Sequence, residues 1–129
     1  MKKSKALCFE WCVKAQEDEQ SIKAVLKDGA PSTACFLSQQ MAEKYLKALL
    51  ILHGQEFPKV HDLLEMETLL CGVDPAIRRL HPMLEHLNRY YIETRYPGNY
   101  PTFTKEDGKK AFADAQTVQE FVMARIIKK

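Results

Sequence analysis

The sequence predicts an all-α protein, an antiparallel up-and-down bundle of four long helices and one short one. Three observations carry that expectation. Apolar residues recur at three- and four-residue spacing in five separate segments. Glycine and proline fall between the segments, at Gly29-Ala30-Pro31, His53-Gly54, Phe57-Pro58, Gly72 to Pro75 and Pro97-Gly98-Asn99-Tyr100-Pro101. No useful length alternates apolar and polar residues with the period of two that a strand requires.

The first helix is expected over about Lys5 to Lys27, with Leu7, Trp11, Ala15, Ile22, Val25 and Leu26 on one face. Asp18 lies inside that stripe, where an acid needs a partner. The second helix opens after Pro31, with Ser32 as its N-cap, and stops at Gly54. Its apolar side chains, from Leu37 through Met41, Tyr45, Leu49 and Ala42 to Leu46, take more than half the circumference, so it is packed on several sides. The remaining arc collects Gln39, Glu43 and Lys47 in one row and Gln40 and Lys44 in the next. A short third helix is expected from about Asp62 to Cys71. The fourth takes Asp74 as N-cap and Pro75 at its first position, presents Leu80, Met83, Leu84, Leu87 and Tyr91 at bundle spacing, and has Pro82 where a kink would form. The fifth begins at Thr104-Lys105-Glu106-Asp107, an acid-ended capping box, and sets Ala111, Ala115, Val118, Val122 and Ile126 on one face.

A chain of 129 residues reads as one domain, residues 1–129, able to bury a core without disulfides or metal. Its net charge of +2, with acids and bases interspersed, excludes the global field by which strongly basic proteins bind nucleic acid unspecifically, so any such role must be local. The basic start Met1-Lys2-Lys3-Ser4-Lys5 leads to Glu10 and Trp11 rather than to a signal-peptide apolar run, so secretion is not indicated. The longest apolar run, Ala48 to Leu52, is far short of the roughly 20 residues that cross a bilayer. A cytoplasmic protein is expected. Cys8, Cys12, Cys35 and Cys71 show neither Cys-x-x-Cys spacing nor a disulfide framework and read as reduced, half-buried small hydrophobes. Cys8 and Cys12 are one helical turn apart but have no histidine nearby, so neither a metal nor any other cofactor is expected.

Four segments together resemble the HEPN family (higher eukaryotes and prokaryotes nucleotide-binding). They are Trp11-x3-Ala15-x2-Asp18, the run from Gln39-Gln40-Met41-Ala42-Glu43-Lys44 to Leu49, Lys59-Val60-His61-Asp62-Leu63, and Tyr91-Ile92-Glu93-Thr94-Arg95-Tyr96-Pro97. Order and spacing agree along essentially the whole chain. The resemblance implies a prokaryotic helical bundle, typically homodimeric, often encoded beside a minimal nucleotidyltransferase with which it assembles as a toxin–antitoxin module. Many members are metal-independent ribonucleases that use an Arg and a His four to six residues apart on one helix, joined by the partner copy's pair across a dimer. Fold alone does not fix activity.

The only fit to that ribonuclease motif is Arg79 and His86, with six residues between them and about 10.5 Å apart along one side of a helix. Histidine would move the proton of the ribose 2′-hydroxyl or leaving oxygen while arginine holds the phosphate. Arg79 is followed by Leu80 where active members have a polar residue, and Asn88 stands where they have a tyrosine. The expectation is therefore two solvated residues beside the core stripe, no assigned catalytic residue and no RNA cleavage.

The stripe Gln39, Gln40, Glu43, Lys44 and Lys47 reads either as a solvated helix face or, since it matches the family pattern, as a wall that binds nucleotide or a partner. A structural reading puts Asp18, Lys44 and Arg95 in one buried polar network. His61 precedes a helix whose free backbone donors suit an anion, and Asp62 is placed to cap that helix. Arg95, before Tyr96-Pro97, is either a C-terminal helix charge or a phosphate fork, and Tyr90, Tyr91 and Tyr96 are candidates for base stacking or for the core. The leading expectation is a non-catalytic or weakly catalytic HEPN protein that binds a nucleotidyltransferase, with nucleotide or RNA as ligand of a groove between the second helix and the Arg95 turn. The alternatives are a ribonuclease toxin using Arg79 and His86 across a homodimer, and a purely structural oligomerisation domain.

Overall fold

The helix Pro31–Leu52 (α2) is the element against which the others pack. It follows Lys2–Asp28 (α1) and precedes Leu63–Cys71 (α3), a 3-10 turn at Pro75–Leu80, His81–Asn88 (α4), Tyr90–Glu93 (α5) and Lys105–Ile127 (α6). This computed structural model describes residues 2–56, 59, 61–98 and 102–128, with side chains from Lys5 onward. The turn signals Phe57-Pro58 and Asn99-Tyr100-Pro101, and Val60, lie outside the described residues. Among the described residues there is no strand, and no helix is long and apolar enough to cross a membrane.

Side-chain pairs give the directions. Asp18 meets Lys44 and Trp11 meets Lys47, so α1 and α2 are antiparallel. Asp74 meets Arg125 and His86 meets Asp114, so α4 and α6 are antiparallel. A Cβ on Gly108 would meet Ala34, and Gln119 reaches Tyr45, so α2 and α6 run parallel, as the alternate helices of an up-and-down bundle must. Gly108 serves that packing: its missing side chain lets α6 approach Leu26 and Ala34, whose atoms would lie 3.1 and 3.2 Å from a Cβ.

Burial follows the periodicity, with two shifts. In α2 the apolar arc from Met41 to Ile51 is buried almost all round. In α1 the core face is Cys8, Cys12, Ala15 and Ile22, while Leu7 is 43% exposed. The three cysteines Cys8, Cys12 and Cys35 are fully buried rather than half-buried, and burial raises their thiol pKa values, Cys12 and Cys35 to about 11, so they act as small core residues.

Helix starts follow backbone chemistry. The N-cap of α2 is Ala30, without a side-chain cap, because Pro31 takes the first helical position and makes Ser32 part of the helix. Gly54, at φ 71°, ends it. The capping box of α6 forms as expected: Thr104 N donates to Asp107 and Asp107 N to the Thr104 hydroxyl. The fourth segment is helical but in three pieces. A continuous α-helix from Pro75 would drive the Pro82 ring into the Arg78 carbonyl, so a 3-10 turn fills the interval and Pro82 falls in the first turn of α4, where no N–H is needed.

Asp74 caps that 3-10 turn through Ala76 N and also pairs with Arg125 of α6. The Arg125 guanidinium beside it holds the Asp74 carboxyl below its ordinary value, despite an opposing effect of partial burial. Since the folded value lies below the unfolded one, the pair stabilises above about pH 4 and its contribution is lost as pH falls through the folded value. Asp74→Asn keeps a capping oxygen and removes the charge. We expect its melting temperature to lie below wild type at neutral pH and the gap to narrow as pH falls below the ordinary carboxylate range; a gap independent of pH would show that the charge contributes nothing.

Candidate functional site

His61, which follows α2 in sequence, lies beside Glu43 rather than beyond the helix end. Two side chains of α2 hold it there. Glu43, only 2% exposed, accepts from His61 Nδ1 with both oxygens at 3.0 Å. Gln39, fully buried, donates to the His61 carbonyl at 3.3 Å and to Glu43 at 3.3 Å, while its oxygen accepts from Gln40 at 2.6 Å. Lys47 pairs with Glu43 at 2.9 Å and lies over the Trp11 ring. An ionised carboxylate can only accept, so Nδ1 of His61 carries the proton. Its Nε2 has no hydrogen-bond partner among the described residues.

From His61 the site continues as a stack. The Tyr91 ring lies 4.0 Å from the His61 ring at 14°, and the Arg95 guanidinium lies 4.2 Å from the Tyr91 centroid. Two planar groups that close cannot sit side by side on one face, so Tyr91 is sandwiched. Arg95 Nε donates to the Tyr91 carbonyl at 2.8 Å, and Phe36 and Tyr96 complete an aromatic collar round the guanidinium. With Nε engaged, the terminal nitrogens of Arg95 can meet a phosphate. Beside the stack, Lys59, His61, Asp62, Asn88, Tyr91 and Ile92 line a cavity of about 430 Å³.

This geometry redistributes the residues singled out from sequence. Gln39 and Glu43 support His61 from beneath instead of facing a ligand, so the stripe is no solvated helix face. Gln40 and Lys44 belong to the neighbouring row, where Lys44 pairs with Asp18 at 2.8 Å. Burial raises the Asp18 pKa, and the lysine opposes that rise. Arg95 is not part of the Asp18–Lys44 pair, because the Tyr91 stack holds it elsewhere. Asp62 caps α3 as expected, accepting from Leu64 N and Glu65 N. The expected anion seat at that helix start is already filled: Leu63 N donates to Asn88, whose amide also reaches Asp62. Of the three tyrosines, Tyr90 is fully buried and Tyr91 has both faces covered; Tyr96, 55% exposed, keeps a face for a base.

Arg79 and His86 do not share a continuous helix. Arg79 lies exposed in the 3-10 turn and His86 in α4, so the single-helix spacing does not apply. Both ring nitrogens of His86 are engaged, Nδ1 with Asp114 at 2.5 Å and Nε2 with the Tyr90 hydroxyl at 2.9 Å. Asp114 is 4% exposed and also takes Lys110. A second buried acid, Glu67, takes Arg78 and His81 and clamps α3 to the 3-10 turn. Sequence reasoning missed Asp114, Glu67 and the role of Asn88; the one available signal was that both acids lie on or beside apolar helix faces.

Comparison with known proteins places this geometry in context. The model of the HEPN domain matches residues 9–126. A Methanocaldococcus jannaschii protein named "Putative toxin MJ1304" is 28% identical over 123 residues, covering 84% of this chain and 81% of that protein. The crystal structure of TT1696 from Thermus thermophilus superposes with a TM-score of 0.80 at 28% identity, over 91% of this chain and 96% of that one. That of ST0689, an archaeal HEPN homologue, gives 0.75 at 28% identity, over 92% and 97%.

Proposed function

Because the chain belongs to the HEPN family, we propose that it is a toxin-like member that binds nucleotide or single-stranded RNA along the edge of the His61–Tyr91–Arg95 stack and the cavity beside it. It works as a homodimer in partnership with a minimal nucleotidyltransferase, and it is not itself a nuclease. The observation that carries the binding site is the His61–Tyr91–Arg95 stack, braced by a buried carboxylate and open beside Lys59. Each part suits the ligand. Arg95 is a pre-oriented fork for phosphate, Lys59 a point charge, Tyr96 a face for a base, and His61 Nε2 a hydrogen-bonding atom held in place by Glu43.

The toxin-named relative supports the toxin-like role, and the family resemblance supports the nucleotidyltransferase partner. The ribonuclease alternative is disfavoured by the engagement of both His86 nitrogens. Labelled single-stranded RNA and ATP, titrated separately, test the groove. Lys59→Ala with Arg95→Ala should weaken binding of at least one by about tenfold or more, since two cations facing phosphate are removed. Absent or identical binding in wild type and variant would remove the groove from the proposal. For the partner, a neighbouring nucleotidyltransferase should copurify and relieve any growth arrest that this protein causes.

A further inference from the structure

A phosphate-binding cavity gains nothing from an acid, yet Asp62 lines the one beside the stack together with Lys59, His61 and Asn88. Only one of its oxygens is committed. Oδ1 accepts from Leu64 N at 3.0 Å, Glu65 N at 3.3 Å and Asn88 Nδ2 at 3.1 Å, while Oδ2 has no partner among the described residues. A carboxylate oxygen accepts hydrogen bonds, never donates them, and repels phosphate. The cavity therefore suits a neutral group that donates.

The neighbours of Asp62 point to the same chemistry. Glu43 fixes the proton of His61 on Nδ1, so Nε2 is a second acceptor in the lining. Asn88 is fixed as well: Leu63 N donates to its oxygen at 2.8 Å, which turns the amide nitrogen towards Asp62. One of its N–H groups goes to Oδ1, and the other remains as a donor. Two acceptors accompanied by a donor match hydroxyl groups, since a hydroxyl both gives and takes hydrogen bonds, whereas the amino group of a base only gives them. A base would also find no tyrosine face here, because Tyr91 is covered on both sides and Tyr96 is absent from the lining. Ile92, 53% exposed in the same lining, offers an apolar surface to sugar carbons.

We infer that this cavity holds a ribose by its vicinal 2′ and 3′ hydroxyls, with Asp62 Oδ2 and His61 Nε2 accepting one each and Asn88 donating. The inference rests on the proposed binding of nucleotide or RNA and adds the part of the ligand that is read. Asp62 is then a specificity residue that distinguishes ribose from deoxyribose, as carboxylates on ribose hydroxyls do in dinucleotide-binding folds. Phosphate is left to Arg95 and Lys59. A ribose with both hydroxyls free has two sources, a mononucleotide and the 3′ end of an RNA.

Calorimetric titration of the wild type distinguishes them, using ATP, 2′-deoxyATP and 3′-deoxyATP in one arm and a short single-stranded RNA ending in a 3′-hydroxyl or a 3′-phosphate in the other. Loss of either hydroxyl from ATP, or the 3′-phosphate on the RNA, is expected to weaken binding about tenfold, as one hydrogen bond to a charged or oriented acceptor disappears. The arm that shows the effect identifies the source. Asp62→Asn keeps a capping oxygen for α3, with circular dichroism confirming that the helices are intact. In this variant the preference for the free diol should fall several-fold towards one, while binding of inorganic pyrophosphate is not weakened. A preference unchanged in Asp62→Asn would overturn the role of Asp62. Equal binding of all probes within each arm by the wild type would overturn the ribose site and leave the groove standing. No binding of any probe would overturn both.

Discussion

Glu43→Ala is expected to lower folding stability by about 3 kcal/mol, because it leaves one side of a largely buried ion pair without its partner. The carboxylate is 3% exposed and serves Lys47, His61 and Gln39 together. Lys47, at 13% exposure, then loses the carboxylate it meets at 2.9 Å in a site that water hardly reaches. His61 is 43% exposed and can rehydrate, which keeps the expected loss at the lower end for buried pairs. Glu43→Gln, which keeps the shape and some hydrogen bonding, should cost less. Urea denaturation measures both. A loss below about 1 kcal/mol in Glu43→Ala would mean that Lys47 and His61 find other partners and that the groove does not depend on this carboxylate. The same variant should bind ligand more weakly than wild type under folded conditions, because nothing then orients the His61 ring against Tyr91.

The second large effect is expected at Asp114, where alanine should cost about 2 kcal/mol. The buried carboxylate takes His86 and Lys110, and His86 passes the connection on to Tyr90. Lys110, with 66% of its side chain exposed, returns to water readily, so most of the loss falls on the His86–Tyr90 link that ties α4 and α5 to α6. If His86 is a tie of this kind, His86→Ala also destabilises the bundle and has no nuclease activity to abolish. The purified protein should accordingly leave RNA intact. RNA cleavage that disappears in His86→Ala would reverse that assignment and restore the ribonuclease alternative.

What the sequence made legible was local. The capping box at Thr104, the Asp62 cap, the Gly54 stop and the apolar arc of α2 depend on neighbours within a turn or two, so spacing reveals them. Spacing also showed that Gln39, Glu43 and Lys47 share a row. It could not show what covers that row, because His61 reaches Gln39 and Glu43 from 18 or more residues away in sequence. Arg95 was separated from Asp18 and Lys44 by a local contact that spacing could have suggested, its stacking on Tyr91 four residues earlier, with Phe36 of α2 closing the collar. In α1 both Leu7 and Cys8 fit an apolar stripe, and only the position of α2 decides which one faces inward. The break in the fourth helix had a visible cause in Pro75 and Pro82, while the ion pair of its cap Asp74 with Arg125 of α6 joins residues 51 apart and is invisible to local spacing.

The groove is tested most directly by chemical-shift mapping of isotope-labelled protein titrated with short single-stranded RNA. The shifts are expected to gather at Lys59, His61, Asn88, Tyr91, Ile92, Arg95 and Tyr96. Shifts centred instead on Arg79, His86 and Asp114, with the His61 stack unmoved, would contradict the assignment and move the site to the seam between α4 and α6.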